Sequence, residues 1–220
     1  MNYIIETILD LLFPRRCPVC GQIIMPKGNL ICPGCIRKLS WVRGPVCKCC
    51  GKEIISETAE YCSDCAIHPR SFSNGMALLN YNEISAPSLA KIKYHNHREY
   101  LDFYAEAAYR KYAARIARLS PDLIIPVPVH KSRMKKRGFN QAEEFGKRLS
   151  HYLEIPMNSS LLIRSKKTVP QKDLGPALRL KNLEQAFSCR KLPYRMKKVL
   201  LIDDIYTTGS TAEACSRALK

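Results

Sequence analysis

Eight cysteines near the amino-terminal end of this 220-residue chain form two copies of one spacing pattern. Each copy reads C-x2-C-x11-C-x2-C, and the second follows the first at an offset of thirty residues. A C-x2-C pair forms a knuckle whose two thiolates face one ion, and two knuckles complete a tetrahedral set. The spacing therefore predicts two zinc sites, with the ligands Cys17, Cys20, Cys32, Cys35, Cys47, Cys50, Cys62 and Cys65.

Four sulfur ligands leave no open coordination position, so these sites are predicted to be structural. A segment this short has too small a core to fold robustly, and a structural zinc supplies on the order of 10 kcal/mol of coupled binding and folding energy. The alternative is a reduced, metal-free cysteine-rich core, which gives no reason for the repeated spacing. The sequence leaves open whether each copy closes on its own ion or the copies exchange pairs. Cys49 falls outside the pattern, and we interpret it as a thiol that binds no metal.

The formal net charge is +17, from 36 Lys and Arg against 19 Asp and Glu, which favours anionic partners. Phosphorylated metabolites and nucleic acid both meet this requirement. Basic clusters interleaved with aromatic side chains favour single-stranded DNA, while solvated surface and core aromatics are the alternative interpretation. The residues concerned are Lys131–Arg137, Arg164–Lys172, Arg190–Lys198, Tyr94, Phe139 and Tyr194.

The apolar opening segment, Met1–Phe13, is interrupted by Glu6 and Asp10 and has its apolar residues at helical spacing. These features predict a short amphipathic helix docked on the body, and neither a signal peptide nor a membrane anchor. Paired C-x2-C spacings without a secretory signal favour a reducing compartment. We therefore expect a cytoplasmic protein that is not inserted in a membrane.

The distribution of the eleven cysteines divides the chain, because nine lie between Cys17 and Cys65. We expect one domain over residues 1–70, with the first helix and a double zinc ribbon, and a second over residues 71–220. The second part alternates strand and helix signals, which is typical of an α/β domain with a parallel sheet. In chain order we expect the helix Leu101–Leu119, the strand Asp122–Val129, a basic loop His130–Gly138, a helix capped by Asn140 with the apolar stripe Phe145, Leu149 and Tyr152, the strand Lys198–Ile202 and the helix Thr211–Leu219.

The end of the second predicted strand carries two acids, Asp203 and Asp204, directly after four apolar residues. Paired carboxylates there can accept hydrogen bonds from vicinal ribose hydroxyls or hold water around Mg²⁺. The following residues supply hydroxyls and amides at a helix start, which is a phosphate cradle. They are Thr207, Thr208, Gly209, Ser210 and Thr211. A Walker-type loop would need Gly-Lys-Ser or Gly-Lys-Thr, which this sequence lacks.

Residues Val199–Thr211 resemble the phosphoribosyl pyrophosphate (PRPP) signature of type I phosphoribosyltransferases. Together with further segments in the same order, the chain resembles the ComF family of competence-associated proteins from about Leu12 to Leu219. Those segments are the double zinc ribbon, Tyr81-Asn-Glu83, Lys91–Tyr94, Ile125–Val129, Arg137–Ala142 and Arg179–Asn182.

This resemblance implies a type I phosphoribosyltransferase-like α/β fold, with a parallel sheet, helices on both faces and a double zinc ribbon in front. It implies that Asp203 and Asp204 are the catalytic acids that hold the ribose of Mg²⁺-bound PRPP, and that Thr207–Thr211 hold its 5'-phosphate. Near the pyrophosphate it places His130, Arg133 and Arg137. Lys93 lies in a family segment close to the site without an assigned role, and Asn140 and Gln141 are interpreted as cap and packing residues.

Two functions follow from the resemblance. The first is an enzyme that transfers phosphoribosyl to an unidentified acceptor, and the alternative is a non-catalytic module that senses PRPP or a nucleotide. Either would be linked to the uptake of single-stranded transforming DNA, beside a DNA-translocating ATPase. ComF-like chains continue into another strand after the last helix, whereas this sequence stops at Lys220. We therefore expect a domain without that terminal strand, either because the chain is a truncated product or fragment or because its sheet is completed otherwise.

Overall fold

A computed structural model describes residues 12–165, 186–190 and 196–220. The helix predicted over Met1–Phe13 lies almost wholly outside these residues, and so do Arg179–Asn182 and Tyr194. In chain order the described elements are α1 Pro33–Ile36, α2 Ser63–Ile67, α3 Ser85–His95, α4 Tyr100–Leu119, β1 Leu123–Pro126, α5 Lys131–Arg137, α6 Gln141–Leu153, β2 Leu162–Arg164, β3 Phe187–Cys189, β4 Val199–Ile202 and α7 Ser210–Leu219. None of the helices in these ranges is both long and apolar enough to span a bilayer.

The two cysteine patterns fold alike, as their common spacing predicts. In the first copy the amide of Gly21 donates to the carbonyl of Cys17 at 2.9 Å, and in the second Gly51 donates to Cys47 at 2.9 Å. Both glycines have positive φ, 76° and 73°, a conformation that glycine adopts without a steric penalty. Each first knuckle therefore turns tightly enough to aim both of its sulfurs at one point.

Each copy brings its own four sulfur atoms together, which resolves the pairing that the sequence left open. Within each set all four lie within 4.8 Å of one another. Tetrahedral zinc, with Zn–S bonds of about 2.3 Å, requires sulfurs about 3.8 Å apart, and Cys20 and Cys32 Sγ are 3.9 Å apart. The four-thiol sets therefore fit two zinc ions, and Cys49 belongs to neither set, as predicted.

One thiol in each cysteine set has a pKa below the ordinary value of a cysteine. Burial raises the pKa of Cys17, but hydrogen bonds from the backbone near Cys32 and Cys20 outweigh this and lower it to about 7. At Cys47 the same opposition of burial and backbone hydrogen bonds gives a pKa of about 6. A thiolate, which is the metal-binding form, is therefore well populated at these positions at neutral pH.

The second part of the chain contains the predicted parallel pairing. Strand β1 pairs with β4 in parallel, with Leu123 opposite Val199 and Pro126 opposite Ile202. On the other side of β1, Ile124 forms a parallel bridge with Met157. Strands β2 and β3 form a separate antiparallel pair. Every residue of β1 is buried, as expected for a parallel strand covered on both faces.

Helices cover both faces of the parallel pair, which confirms the predicted architecture. On one face Ile124 and Ile202 lie in a cluster with Leu149 of α6. On the other, Ile125 lies in a cluster with Cys215 of α7. Fully burying an aliphatic side chain of this size contributes roughly 1.5–3 kcal/mol, so both layers stabilise the sheet.

Among the described residues, the predicted helices and caps are confirmed, the first strand is shorter than the predicted Asp122–Val129, and one predicted loop is wrong. Asn140 caps α6, since its Oδ1 accepts from the amide of Ala142 at 3.2 Å, and Phe145, Leu149 and Tyr152 pack towards the core. The basic loop predicted over His130–Gly138 is wrong, because Lys131–Arg137 form helix α5. Lysine, arginine and methionine are good helix formers, the His130 side chain caps the first turn, and Gly138 ends the helix with φ 81°.

The first ribbon packs against the helical part of the chain. Cys17 and Ile24 share a buried cluster with Ile92 of α3 and Tyr100 of α4. Trp41, between the two ribbons, also packs there, because its ring meets that of Phe103 edge-on at 6.2 Å. The division into domains after residue 70 stays a prediction.

We expect two zinc ions per chain, and a cysteine substitution should separate ligands from non-ligands. Cys62→Ser should lose about one zinc ion and unfold the second ribbon, because three thiolates bind the ion far less tightly than four. Cys49→Ser is the matched control and should keep both ions. Metal analysis of zinc-replete protein, with thermal melting, measures both effects. One ion or none in the parent protein would contradict the two-site assignment.

Candidate functional site

The candidate site lies where β1 and β4 end. Their parallel register places Pro126 beside Ile202, so the segments that follow both strands leave the sheet at one edge. The amide of Val127 donates to the carbonyl of Ile202 at 2.8 Å, and Asn140 Nδ2 donates to the carbonyl of Val127 at 2.9 Å. These bonds fix the start of α6 to the same edge, which is where open α/β sheets bind ligands.

Two acids occupy this edge directly after β4. Oδ1 of Asp203 accepts a hydrogen bond from the amide of Asp204 at 2.9 Å. Burial, followed by the charge of Asp204, raises the pKa of Asp203 well above its ordinary value, and the charge of Lys93 acts in the opposite direction. Both acids are partly buried, and placing two carboxyl groups side by side in partial shelter from water is unfavourable for folding, so the arrangement is typical of a binding or catalytic site.

Lys93 of α3 neutralises part of this negative charge. Its Nζ lies 3.4 Å from Asp204 Oδ2, and the two side chains are 22% and 23% exposed. Sequence analysis assigned no role to Lys93, although it lies in the segment Lys91–Tyr94 that resembles the family. The structure places it in direct contact with the predicted ribose-binding acid.

The predicted pyrophosphate-side residues differ in their surroundings. Arg137 is half-buried, lies over the ring of Tyr94 at 5.7 Å and donates to Oε1 of Gln141. Burial lowers its pKa while the charge of Asp204 raises it, so the guanidinium lies within electrostatic range of that acid. His130 faces its own helix instead, with Nδ1 2.9 Å from Ser132 Oγ. Exposed Arg133 lies close enough to lower the pKa of Arg137.

Arg164 of β2 is a further cation near the site. Burial and the charge of Arg133 lower its pKa, whereas the charge of Asp203 raises it. Its guanidinium also lies over the ring of Phe187 at 5.3 Å. The sequence grouped Arg164 with surface cations, because nothing local indicates that β2 brings it towards the end of β4.

The Thr207–Thr211 segment forms a tight loop that opens α7. Gly209 has φ 79° and serves as the residue before the helix, and a Cβ at this position would overlap the hydroxyl of Tyr206. Thr208 Oγ1 and Ser210 Oγ are 3.0 Å apart. The first amides of a helix have no intrahelical acceptor and favour anions. A small cavity of about 30 Å³ is lined by Asp203 and by all five loop residues.

The second zinc ribbon contacts the back of this loop. Lys52 Nζ donates to the carbonyl of Thr207 at 3.1 Å, and Arg70 donates to the carbonyl of Thr208 at 2.7 Å. Tyr206 packs with the second cysteine set and meets Phe72 edge-on at 6.5 Å. Sequence reasoning missed these contacts, since the hydrogen-bonded partners lie 155 and 138 positions apart.

Comparison with known proteins gives two kinds of match. The family model of a double zinc ribbon domain matches residues 8–66. Competence protein F of Haemophilus influenzae is 32% identical, over 94% of this chain and 92% of that protein. Competence protein ComFC of Bacillus subtilis is 26% identical over 89% of this chain and 80% of its own length.

A third relative, DNA utilization protein YhgH of Escherichia coli K12, is 28% identical over 72% of this chain and 70% of that protein. No solved structure matches the chain. The ribbon geometry agrees with the matched family model, and the similarity to the Haemophilus protein runs through both the ribbons and the α/β part. The chain therefore belongs to the ComF family of competence-associated proteins.

Proposed function

We propose that this protein binds Mg²⁺-PRPP where β1 and β4 end and that it acts in the handling of DNA taken up by the cell. One observation carries the first part: a single cavity is lined by an acid of the pair and by the whole Thr207–Thr211 loop. A carboxylate for ribose hydroxyls and a loop for a phosphate are thereby adjacent.

In this proposal the loop amides and hydroxyls bind the 5'-phosphate, because the free N–H groups at the start of α7 attract anions. Asp204 accepts hydrogen bonds from the ribose hydroxyls, and Asp203 supports it or holds water around Mg²⁺. Lys93 balances the charge of Asp204 in the absence of ligand. Arg137, the last residue of α5, is assigned to the pyrophosphate side because it lies within electrostatic range of Asp204, and Arg133 earlier in the helix and His130 at its cap lie on the same side in this proposal.

In this proposal the acid pair and Arg137 would support phosphoribosyl transfer. Departure of pyrophosphate from the anomeric carbon develops positive charge on the sugar, which a nearby carboxylate stabilises. Negative charge develops on the leaving group, and a guanidinium such as that of Arg137 stabilises it. The second candidate is a PRPP sensor without turnover. Release of pyrophosphate from Mg²⁺-PRPP, with and without added acceptors, distinguishes the two.

The proposed link to DNA rests on the relatives' names and on charge. Two relatives are competence proteins and a third is a DNA utilization protein, and this chain carries a net charge of +17. Helix α5 exposes Lys131, Arg133, Lys135 and Lys136. Such cations bind the phosphates of single-stranded DNA in a salt-dependent manner. A DNA-translocating ATPase is the protein partner that the family resemblance suggests.

The aromatic side chains near these cations divide into two kinds. Phe139 is 5% exposed and lies under the guanidinium of Arg98 at 4.2 Å, so it is a core residue. Tyr94 is 71% exposed, and its ring is accessible beside Arg137. Of these two aromatics, Tyr94 is therefore the one that we propose stacks on a base.

Asp204→Asn tests the ribose contact. The change keeps the shape and removes the charge, so PRPP affinity should fall about tenfold to hundredfold, since hydrogen bonds to charged groups contribute roughly 1.5–3 kcal/mol. Calorimetric titration of zinc-loaded protein with Mg²⁺-PRPP measures the loss. Affinity for oligo-dT should stay equal or rise slightly, because phosphate neutralisation by cations dominates it. Parent-like PRPP binding, or parallel loss of PRPP and DNA affinity in a folded variant, would show that the assignment is wrong.

Asp203→Asn tests whether the charge of Asp203, partly buried and next to Asp204, destabilises the fold. The pKa of Asp203 is raised in the folded protein above its ordinary value of 3.8, so the folded state binds more protons than the unfolded state between these two values. Stability therefore falls as pH rises through this window, and the deficit is complete above the folded pKa. The variant should melt higher than the parent, by a margin that is wider at pH 8 than at pH 5.

Asp122→Asn is the control of opposite sign. The amides of Lys198 and Lys197 lower the pKa of Asp122, so its charge stabilises the fold above its ordinary pKa. This variant should melt lower than the parent at both pH values. An Asp203→Asn variant that also melts lower at pH 8 would contradict the assignment of Asp203 as a destabilising functional acid.

A further inference from the structure

Two cations, Lys52 in the second ribbon and Arg70 shortly after it, donate hydrogen bonds to consecutive carbonyl groups of the loop. Lys52 binds the carbonyl of Thr207, and Arg70 binds that of the next residue, Thr208, at 2.7 Å. These carbonyls belong to the two peptide groups that precede Gly209. The ribbon therefore fixes the orientation of two successive peptide planes at the point where the loop turns into α7.

The orientation of these planes determines where their N–H groups point. In a trans peptide the carbonyl and the N–H of the same plane point in opposite directions. Because the carbonyls of Thr207 and Thr208 face the ribbon, the amides of Thr208 and Gly209 face away from it. Both of these residues line the cavity at the end of β4. A cation on each carbonyl also polarises the peptide and strengthens its N–H as a donor.

The second cysteine set anchors these contacts. Lys52 follows Cys50 by two positions, and its Nζ also lies 2.9 Å from Oδ2 of Asp64, which directly precedes Cys65. Tyr206, the residue before the loop, packs against this set. The first set instead shares its cluster with α3 and α4. The two ribbons therefore have different neighbours, and the second one forms the wall behind the phosphate loop.

We propose that Lys52 and Arg70 are positioning residues for the phosphate loop, and that metal in the second cysteine set is thereby coupled to PRPP binding. This inference rests on the proposed function for its ligand. The cations act from behind the loop, through its peptide groups. Lys52 and Arg70 should therefore order the loop already in the ligand-free protein.

Lys52→Met is the principal test, with Lys48→Met as its matched control. Lys48 lies in the same ribbon and also forms an ion pair, with Glu60, but both of these side chains are exposed to solvent. Lys52→Met should weaken Mg²⁺-PRPP binding by about tenfold, which corresponds to one charge-assisted hydrogen bond, while zinc content stays the same. Lys52→Arg should restore most of the affinity, and Lys48→Met should bind like the parent.

Hydrogen exchange of residues 203–211 in the ligand-free protein separates positioning from direct phosphate contact. Lys52→Met and Arg70→Met should speed exchange there, whereas the loss of a direct phosphate contact would leave the free protein unchanged. Cys62→Ser should also loosen this segment, and the corresponding first-ribbon variant Cys32→Ser should loosen it much less.

The outcomes distinguish this inference from the function on which it rests. If the parent fails to bind PRPP but Lys52→Met loosens the loop, the proposed ligand is wrong and the positioning role stands. If the parent binds PRPP and Lys52→Met matches it in both affinity and exchange, the positioning role is overturned. Unchanged loop exchange in Lys52→Met and Arg70→Met overturns it as well, whatever the parent binds.

Discussion

The parallel pairing of β1 with β4 is the constraint on which the rest of the α/β part depends. It aligns Pro126 with Ile202 and therefore brings two chain segments, far apart in sequence, out of the sheet at one edge. The same pairing gives β1 two buried faces, which α4 and α6 cover on one side and α7 on the other. Without this strand pairing, the acid pair after β4 and the start of α6 would not be held at the same edge of the sheet.

Charged side chains of both signs lie close together at the edge of the sheet where β1 and β4 end. Asp203 and Asp204 lie after β4, Lys93 reaches Asp204 from α3, and Arg137 lies within range at the end of α5. Two adjacent, partly buried carboxyl groups oppose each other's ionisation, and such an arrangement is typical of a site that binds a ligand. A ligand that carries Mg²⁺, hydroxyls and phosphates supplies partners for both signs of charge.

The zinc ribbons depend on metal coordination for their stability, because their hydrophobic core is small. About sixty residues with few large apolar side chains have too little core, and metal coordination supplies the missing folding energy. Their packing then differs: the first ribbon extends the core over α3 and α4, and the second meets the loop before α7. A structural metal can in this way be close to a binding site without taking part in its chemistry.

The features that the sequence predicts well are those encoded within short segments. Cysteine spacing specifies which four thiols meet in each set, and the order of apolar strand, paired acids and Gly209 turn specifies a tight loop that opens a helix, because each depends on near neighbours. The contacts of Lys93, Lys52 and Arg70 were not predicted, since they span 111, 155 and 138 positions and only the tertiary fold creates them. Helix α5 was missed because its basic composition was interpreted as a loop, although its side chains favour a helix.

A crystal structure of the zinc-loaded protein with Mg²⁺-PRPP tests the central claim most directly. The expected result is one ligand at the end of β4, with its 5'-phosphate on the amides of Thr208–Thr211 and its ribose hydroxyls on Asp204. Arg137 should face the pyrophosphate, and both cysteine sets should hold zinc. PRPP bound elsewhere on the molecule, or a phosphate on the loop with the ribose turned away from both acids, would contradict the assigned site.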